Sequence, residues 1–406
     1  MPRILFLSAS VGVGHSAAAA AVRGALAELV PNVETQTVDS YKYAAKIFSK
    51  VVADGYIGMV KTVPQLYRYI YERAERARDI PAFRRWVSQY TASNLRTLVT
   101  ERKPDLVVCT HAFPCGVMAE YKRKFDPDLP VVGVVTDFAV HPFWIYPNID
   151  AYAVATPEIR QVLLARGVAS EKIVVSGIPV DPRFGRPRLP RDELRAALGL
   201  PRDRNIVLMM GGGLGIGPLD RMIRALGRLD LPVAGAIIVG RNVGLERRIL
   251  ALAEQTEYPL RVFGFVDNVY DFMHASDVLL TKAGGLTSSE ALSAELPMIL
   301  MKPLPGQEER NTRYLVSRRA ALRARNERQV AQAVREVLTS AERRAQMAAS
   351  IAALRRPDAA RAVAERIVAL LSGRPLNPRQ APDQGGADEV LRQRDDDRSA
   401  WAESRR

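Results

Sequence analysis

Short apolar runs alternate with longer amphipathic stretches along almost the whole chain. Residues 3–7 (RILFL) predict a buried strand, 17–30 an Ala-rich helix and 33–38 a second strand. Further strands are expected at 106–109, 131–135 and 151–154, each followed by turn residues. PDLVVCTHAF and LPVVGVVTDF are continuously apolar, as in parallel strands covered on both faces. The pattern then restarts. RNIVLMMGGGLGIG, at 204–217, is again a strand followed by a glycine loop, and VAGAIIVG, LRVFGFV and DVLLTKAGG follow with helices between them. Two strand–glycine-loop–helix units, one opening each half, predict an α/β protein with two Rossmann-like domains in tandem.

Length supports this division, since 406 residues suit two cores better than one. SGIPVDPRFGRPRLPRDE, at 176–193, carries four prolines and cannot be a continuous helix, so the linker and the cleft are expected there. The expected domains are 1–180 and 181–372, with a disordered tail at 373–406, where seven Arg balance seven Asp/Glu. The net charge of +14 therefore belongs to residues 1–372. Such a field attracts nucleic acid, anionic lipid headgroups or phosphorylated substrates. No nucleic-acid-binding module accompanies it.

Two cysteines, Cys109 and Cys115, are too few for a disulfide framework and predict free thiols in a reducing compartment. The apolar part of MPRILFLSAS is short for a signal peptide, and no run of about 18 apolar residues occurs. The expectation is a cytoplasmic protein able to lie on a membrane. Residues 56–90 add to it: seven Lys/Arg stand against three Asp/Glu among seven aromatics, a mixture suited to an interfacial helix or to a packed helix pair.

The candidate chemistry starts at GVGHSA, 12–17, a G-x-G-x-x-A pattern after a strand. With Asp39 about 20 residues beyond it, this is also the spacing of an NAD-dependent dehydrogenase. His15, however, occupies the point where the backbone would close around a pyrophosphate. The richest stretch is 275–315, ASDVLLTKAGGLTSSEALSAELPMILMKPLPGQEERNTRYL. A strand ending at Thr281, glycines at 284 and 285 and a helix beginning near Thr287 make an anion site. Glu290, one turn in, could accept both hydroxyls of a ribose, while Thr287-x-x-Glu290 equally spells a capping box. PLPGQEERN is expected to be a loop that brings Gln307, Glu308 and Asn311 to sugar hydroxyls. Asp137 and His111 each end a strand and could face the cleft, and His141 could pack beside Trp144. Asp126-Pro-Asp128 and Asp395–Asp397 match D-x-D by letter in contexts that support no metal. SRRAALRARNER, 317–328, reads as a solvated helix face or a phosphate-attracting rim.

TKAGGLTSSEAL…PLPGQEERN, TDFAVHPFWIYPNIDAYAVAT and SGIPVDPRF, in that family's order over about residues 3–370, closely resemble the processive diacylglycerol glucosyltransferases and monogalactosyldiacylglycerol synthases of glycosyltransferase family 28. The resemblance implies a GT-B fold, a UDP-sugar donor in the C-terminal domain, a diacylglycerol acceptor in the N-terminal one and inversion at the anomeric carbon. No cofactor and no metal are expected. Carried over by position, Phe265 and Val266 would hold the uracil, Gly284, Gly285 and Thr287 would face the pyrophosphate, Glu290 the ribose, and Gln307 with Glu308 the sugar. Gly212 and Gly213 would approach the phosphates or sugar across the cleft. His15 would be the catalytic base, with Asp137 orienting it or serving as the base itself. Ala283 and Val13 depart from the family, whose members often have Pro and Gly there. A UDP-GlcNAc transferase acting on a lipid-linked peptidoglycan precursor is the nearest alternative.

Overall fold

The computed structural model describes residues 1–9, 13–40, 95–212, 217–304 and 306–373. The basic aromatic stretch at 56–90, Gly213 and the remainder of the expected tail, 374–406, lie outside the described residues. Residues Met1–Arg374 form one compact unit.

Within it stand two six-stranded sheets whose pairings are all parallel. The first contains β1 (Arg3–Ser8), β2 (Glu34–Asp39), β3 (Leu106–Cys109), β4 (Val131–Val134), β5 (Ala151–Val154) and β6 (Ile173–Val175), in the order 2-1-3-4-5-6. The second contains β7 (Asn205–Met210), β8 (Val233–Ile238), β9 (Leu260–Phe263), β10 (Val278–Thr281), β11 (Met298–Met301) and β12 (Ala321–Ala324), in the order 12-11-10-7-8-9. Both inner strand sets are Val/Leu/Ile-rich and fully buried, which is why their sequences run apolar without alternation.

Each order reverses once, between β1 and β3 in the first sheet and between β7 and β10 in the second. Chain segments leaving neighbouring strands there go to opposite faces and open a crevice beyond the strand ends, the general ligand position in open α/β sheets. Four helices matter for what fills it: α1 (Val13–Leu29), α2 (Ala112–Lys124), α3 (Gly285–Ser293) and α4 (Gln307–Ser317).

The chain passes between the halves twice. In the first passage Gly177 has φ +88°, and a Cβ there would stand 2.5 Å from Cβ of Arg356 in the second passage. Only glycine meets both demands. After the return, α5 (Ala359–Leu371) packs Val363, Ala364 and Ile367 against Ile4, Phe6, Val22 and Leu26 of the first half. Residues 359–371 thus close the core of the first sheet, although they follow the second in sequence.

Candidate functional site

His15 lies in the first turn of α1, which starts at Val13, four residues earlier than the Ala-rich run suggested. From that turn Nδ1 reaches the Thr110 carbonyl oxygen, just past β3, at 2.9 Å, and the Thr136 hydroxyl, past β4, at 2.9 Å. A carbonyl can only accept, so Nδ1 carries the hydrogen and Nε2 presents a lone pair. Burial of the ring lowers its pKa to about 4, against a raising contribution from the Thr110 bond.

The His111 ring stands edge-on to His15, with centroids 4.7 Å apart. Its Nδ1 accepts from the Phe113 amide and caps α2, so the structural alternative for His111 holds, beside rather than instead of proximity to the site. Burial, then the neighbouring His15, hold its pKa well below the ordinary value. His141 caps the short 3₁₀ turn Pro142–Trp144 in the same manner.

Asp137 follows Thr136 and meets the second half. Its Oδ1 accepts from Asn311 Nδ2 at 3.0 Å. Burial lifts its pKa to about 7, Asn311 lowers it, and the Glu308 charge raises it. Beside this contact, a methyl group on Gly285 would collide with the Thr136 carbonyl oxygen, and a Cβ on Gly14 would reach Leu286 Cβ at 3.4 Å. Helices α1 and α3, one from each half, therefore begin against each other, with His15 in the first turn of α1 and Asp137 Oδ1 beside Gly285.

On the second half, Lys282 leaves β10 and its Nζ donates to Glu308 Oε1 at 2.7 Å, while the Leu304 amide donates to Oε2 at 2.8 Å. A Cβ on Gly212, which has φ +75°, would lie 3.0 Å from Lys282 Cε. The strand-end residues of β7 and β10 thus adjoin at the second crevice, Gly212 providing the space in which the lysine lies. Sequence reading missed Lys282, although it stands inside the quoted TKAGG motif.

Helix α3 begins at Gly285 with Gly284 as its N-cap and no side chain capping it. Thr287 lies inside the first turn, so the capping-box alternative for Thr287 and Glu290 is not realised. Glu290 is instead pushed up to a pKa of about 8 by burial and then by the charge of Asp181. A Cβ on Gly284 would meet nothing within 4 Å. The absent side chain at Gly285 answers to Thr136, and only Gly284 faces open space.

Within PLPGQEERN, Gln307, Glu308 and Asn311 are not in a loop but on a helix. Gly306, at φ +91°, turns the chain and α4 starts at Gln307, because the acidic Glu308 and Glu309 favour a helix N-terminus. Asn311 is fully buried, and its amide serves the junction with Asp137 rather than an open sugar site. Phe265, just past β9, is 54% exposed with the Arg241 guanidinium 4.0 Å above its ring, and Val266 packs on the core.

The Arg-rich 317–328 segment is no single helix face: it covers the end of α4, strand β12 and the start of the next helix at Glu327. Arg318 pairs with Glu158 and Arg323 with Glu309. Asp126 accepts from the Leu129 amide as a turn residue, and Cys109 and Cys115 are buried free thiols. Among the described residues no three His, Cys, Asp or Glu side chains gather into a metal-binding group.

The sequence profile of monogalactosyldiacylglycerol (MGDG) synthase matches residues 15–180, which include His15, His111 and Asp137. The first half of the chain is therefore similar to monogalactosyldiacylglycerol synthases. The profile of glycosyl transferases group 1 matches residues 190–352, carrying the second-half site. The processive diacylglycerol beta-glucosyltransferase of Bacillus cytotoxicus is 29% identical over 370 residues, spanning 90% of this chain and 93% of its own. Its Bacillus mycoides namesake is 29% identical over 374 residues, 91% and 94% of the two chains. Acinetobacter baumannii MurG superposes with a TM-score of 0.62 at 17% identity over 91% and 99% of the chains. S. aureus MnaA, in a co-structure with UDP, gives 0.61 at 16% identity over 94% and 100%. The fold is GT-B.

Proposed function

We propose that the protein is an inverting glycosyltransferase that moves a hexose, glucose or galactose, from a UDP-sugar to diacylglycerol. The observation that carries this reading is the meeting of two switch-point crevices: titratable side chains past β1, β3 and β4 face glycines, a lysine and a free helix start past β7 and β10. The names of the curated relatives supply the substrate classes.

Phe265 and Val266 would hold the uracil, Glu290 the ribose, and Gln307 with Glu308 the hexose. Gly212 would let Lys282 lie beside the donor. The diphosphate would lie at Gly284, Gly285 and Thr287, where the first amides of α3 and the Lys282 ammonium oppose its charge. The acceptor hydroxyl attacks the anomeric carbon as the bond to the diphosphate oxygen breaks, and UDP leaves with the electron pair. Asp137 takes the hydroxyl proton, since its pKa of about 7 matches the working pH better than the value of about 4 held by His15. Neutral His15, through its Nε2 lone pair, orients the acceptor hydroxyl.

No cofactor is required by this scheme. The +14 charge would draw the protein to anionic lipid at the inner face of the cell membrane, where the acceptor resides. None of the described helices is long and apolar enough to cross a membrane. The decisive experiment incubates the chain with labelled UDP-glucose, UDP-galactose or UDP-GlcNAc and vesicles carrying diacylglycerol or a polyprenyl-linked acceptor. A glycosyldiacylglycerol product is expected from one of the first two. Label transferred only to a polyprenyl-linked acceptor, or no transfer to any lipid, would overturn the reading.

A further inference from the structure

Asn311 carries no exposed surface, and its side-chain amide makes three bonds. Nδ2 donates to Asp137 Oδ1 at 3.0 Å and to the Ala283 carbonyl oxygen at 3.0 Å, while Oδ1 accepts from the Phe138 amide at 2.9 Å. Two of these partners belong to the first half and one to the second. One turn earlier on the same helix stand Gln307 and Glu308, and Glu308 is tied to Lys282. One turn later Tyr314 stacks on Phe138, with centroids 5.3 Å apart and planes 14° from parallel. A sugar-reading amide needs a free donor or acceptor facing the ligand. This one has both its Nδ2 hydrogens and its oxygen engaged by protein.

We propose that Asn311 is a positioning residue for glycosyl transfer: through one buried amide, the helix that presents Gln307 and Glu308 fixes the Asp137 carboxylate between the two halves. This rests on Asp137 being the proton acceptor under the proposed function. The charged group facing Asp137 is Glu308, paired with Lys282, on the second half, and His15 with His111 stand behind Thr136 on the first. Asn311 is the neutral donor among them. Replacing it alters both where the carboxylate points and how readily it releases its proton, without removing any group assigned to UDP.

The test compares the full-length wild type with Asn311→Asp, which keeps shape and the acceptor for Phe138, with Asn311→Ala, and with Asp137→Asn. Hexose transfer is followed from pH 5 to 9, with UDP affinity by calorimetry and folding by thermal melting. Asn311→Asp is expected to lower kcat roughly 10- to 100-fold, as misplacement of a reacting group does. UDP affinity should stay within about twofold. The acidic limb of kcat/KM should move to higher pH, because a second carboxylate opposes ionisation of Asp137. Asn311→Ala, which loses the donor without adding a second carboxylate, should move the limb the same way by less.

An unmoved limb in folded Asn311→Asp, or equal losses of UDP affinity and kcat, would overturn the inference; equal losses would return Asn311 to the donor site. Asp137→Asn separates the two claims. If it retains wild-type turnover the base assignment itself falls, whereas if it alone is crippled while both Asn311 variants behave as wild type, only the positioning role fails.

Discussion

The two halves repeat one construction, a six-stranded parallel sheet with a single reversal of strand order, yet they end their strands in opposite chemistry. Past β1, β3 and β4 stand His15, His111 and Asp137, all with pKa values moved by burial. Past β7 and β10 stand Gly212, Gly284, Gly285 and Lys282, which contribute space, backbone amides and one fixed cation. Under the proposed function, one edge exchanges a proton and the other holds an anion. The scaffold supplies where, and the strand-end residues supply what.

The sharpest way to break this contrast is to make the first edge unable to exchange a proton. Asp137→Asn should lower kcat by about 10²- to 10⁴-fold with UDP affinity intact, because the base alone is lost. His15→Ala is expected to cost less, roughly 10- to 100-fold, again with UDP binding preserved. Equal losses of turnover and UDP affinity would make His15 a residue that shapes the fold.

Silencing the second edge tests the other side. Lys282→Gln should weaken UDP and lower turnover together by roughly tenfold, since a charge-assisted contact contributes about 1.5–3 kcal/mol. Glu290→Ala should mainly raise the KM for UDP-sugar. Turnover loss without any change in donor affinity in either variant would mean that the edges are not divided as described.

Stability against pH offers a gentler probe. Asp137 and Glu290 have folded pKa values of about 7 and about 8, above those of unfolded carboxylates. From about pH 4 to 8 the unfolded chain therefore holds fewer protons than the folded one at these sites, and their contribution to stability falls as pH rises. Asp137→Asn and Glu290→Gln should each flatten that fall and melt higher than wild type at pH 8. His15 acts in the other direction: with a folded pKa of about 4, it withdraws stability as pH drops from about 6.5. The smallest effect is expected for Phe265→Ala. Its exposed ring contributes little to the core, so melting should hardly change while UDP affinity drops a few-fold. A large loss of stability there would place Phe265 in the fold rather than at the nucleobase.

Much of this was legible along the chain. The apolar runs at 106–109, 131–135 and 151–154 became strands β3 to β5 within a residue, because strands covered on both faces admit little but Val, Ile, Leu and Ala. Boundaries near the ligand edges were less legible. Helix α1 begins at His15's own turn and PGQEERN enters a helix, since glycines that suggest a loop also serve as helix starts when packing fixes their backbone. Lys282 was passed over because a lone lysine between a strand and two glycines carries no periodic signal. Asn311 was grouped with the sugar readers because its spacing from Gln307 and Glu308 suits that role as well as it suits a buried bond.

Local pattern and composition, then, determined that this chain forms two parallel α/β sheets, where their strands lie, and which glycine- and histidine-bearing segments follow them, for these depend on burial and backbone freedom residue by residue. Tertiary structure alone decided which strand ends become neighbours, that Gly285 is small because of Thr136, and that Asp137 and Asn311, 174 residues apart, share a hydrogen bond. Such pairings arise from strand order and from the packing of one half on the other, and neither is written into the spacing of residues along a single chain.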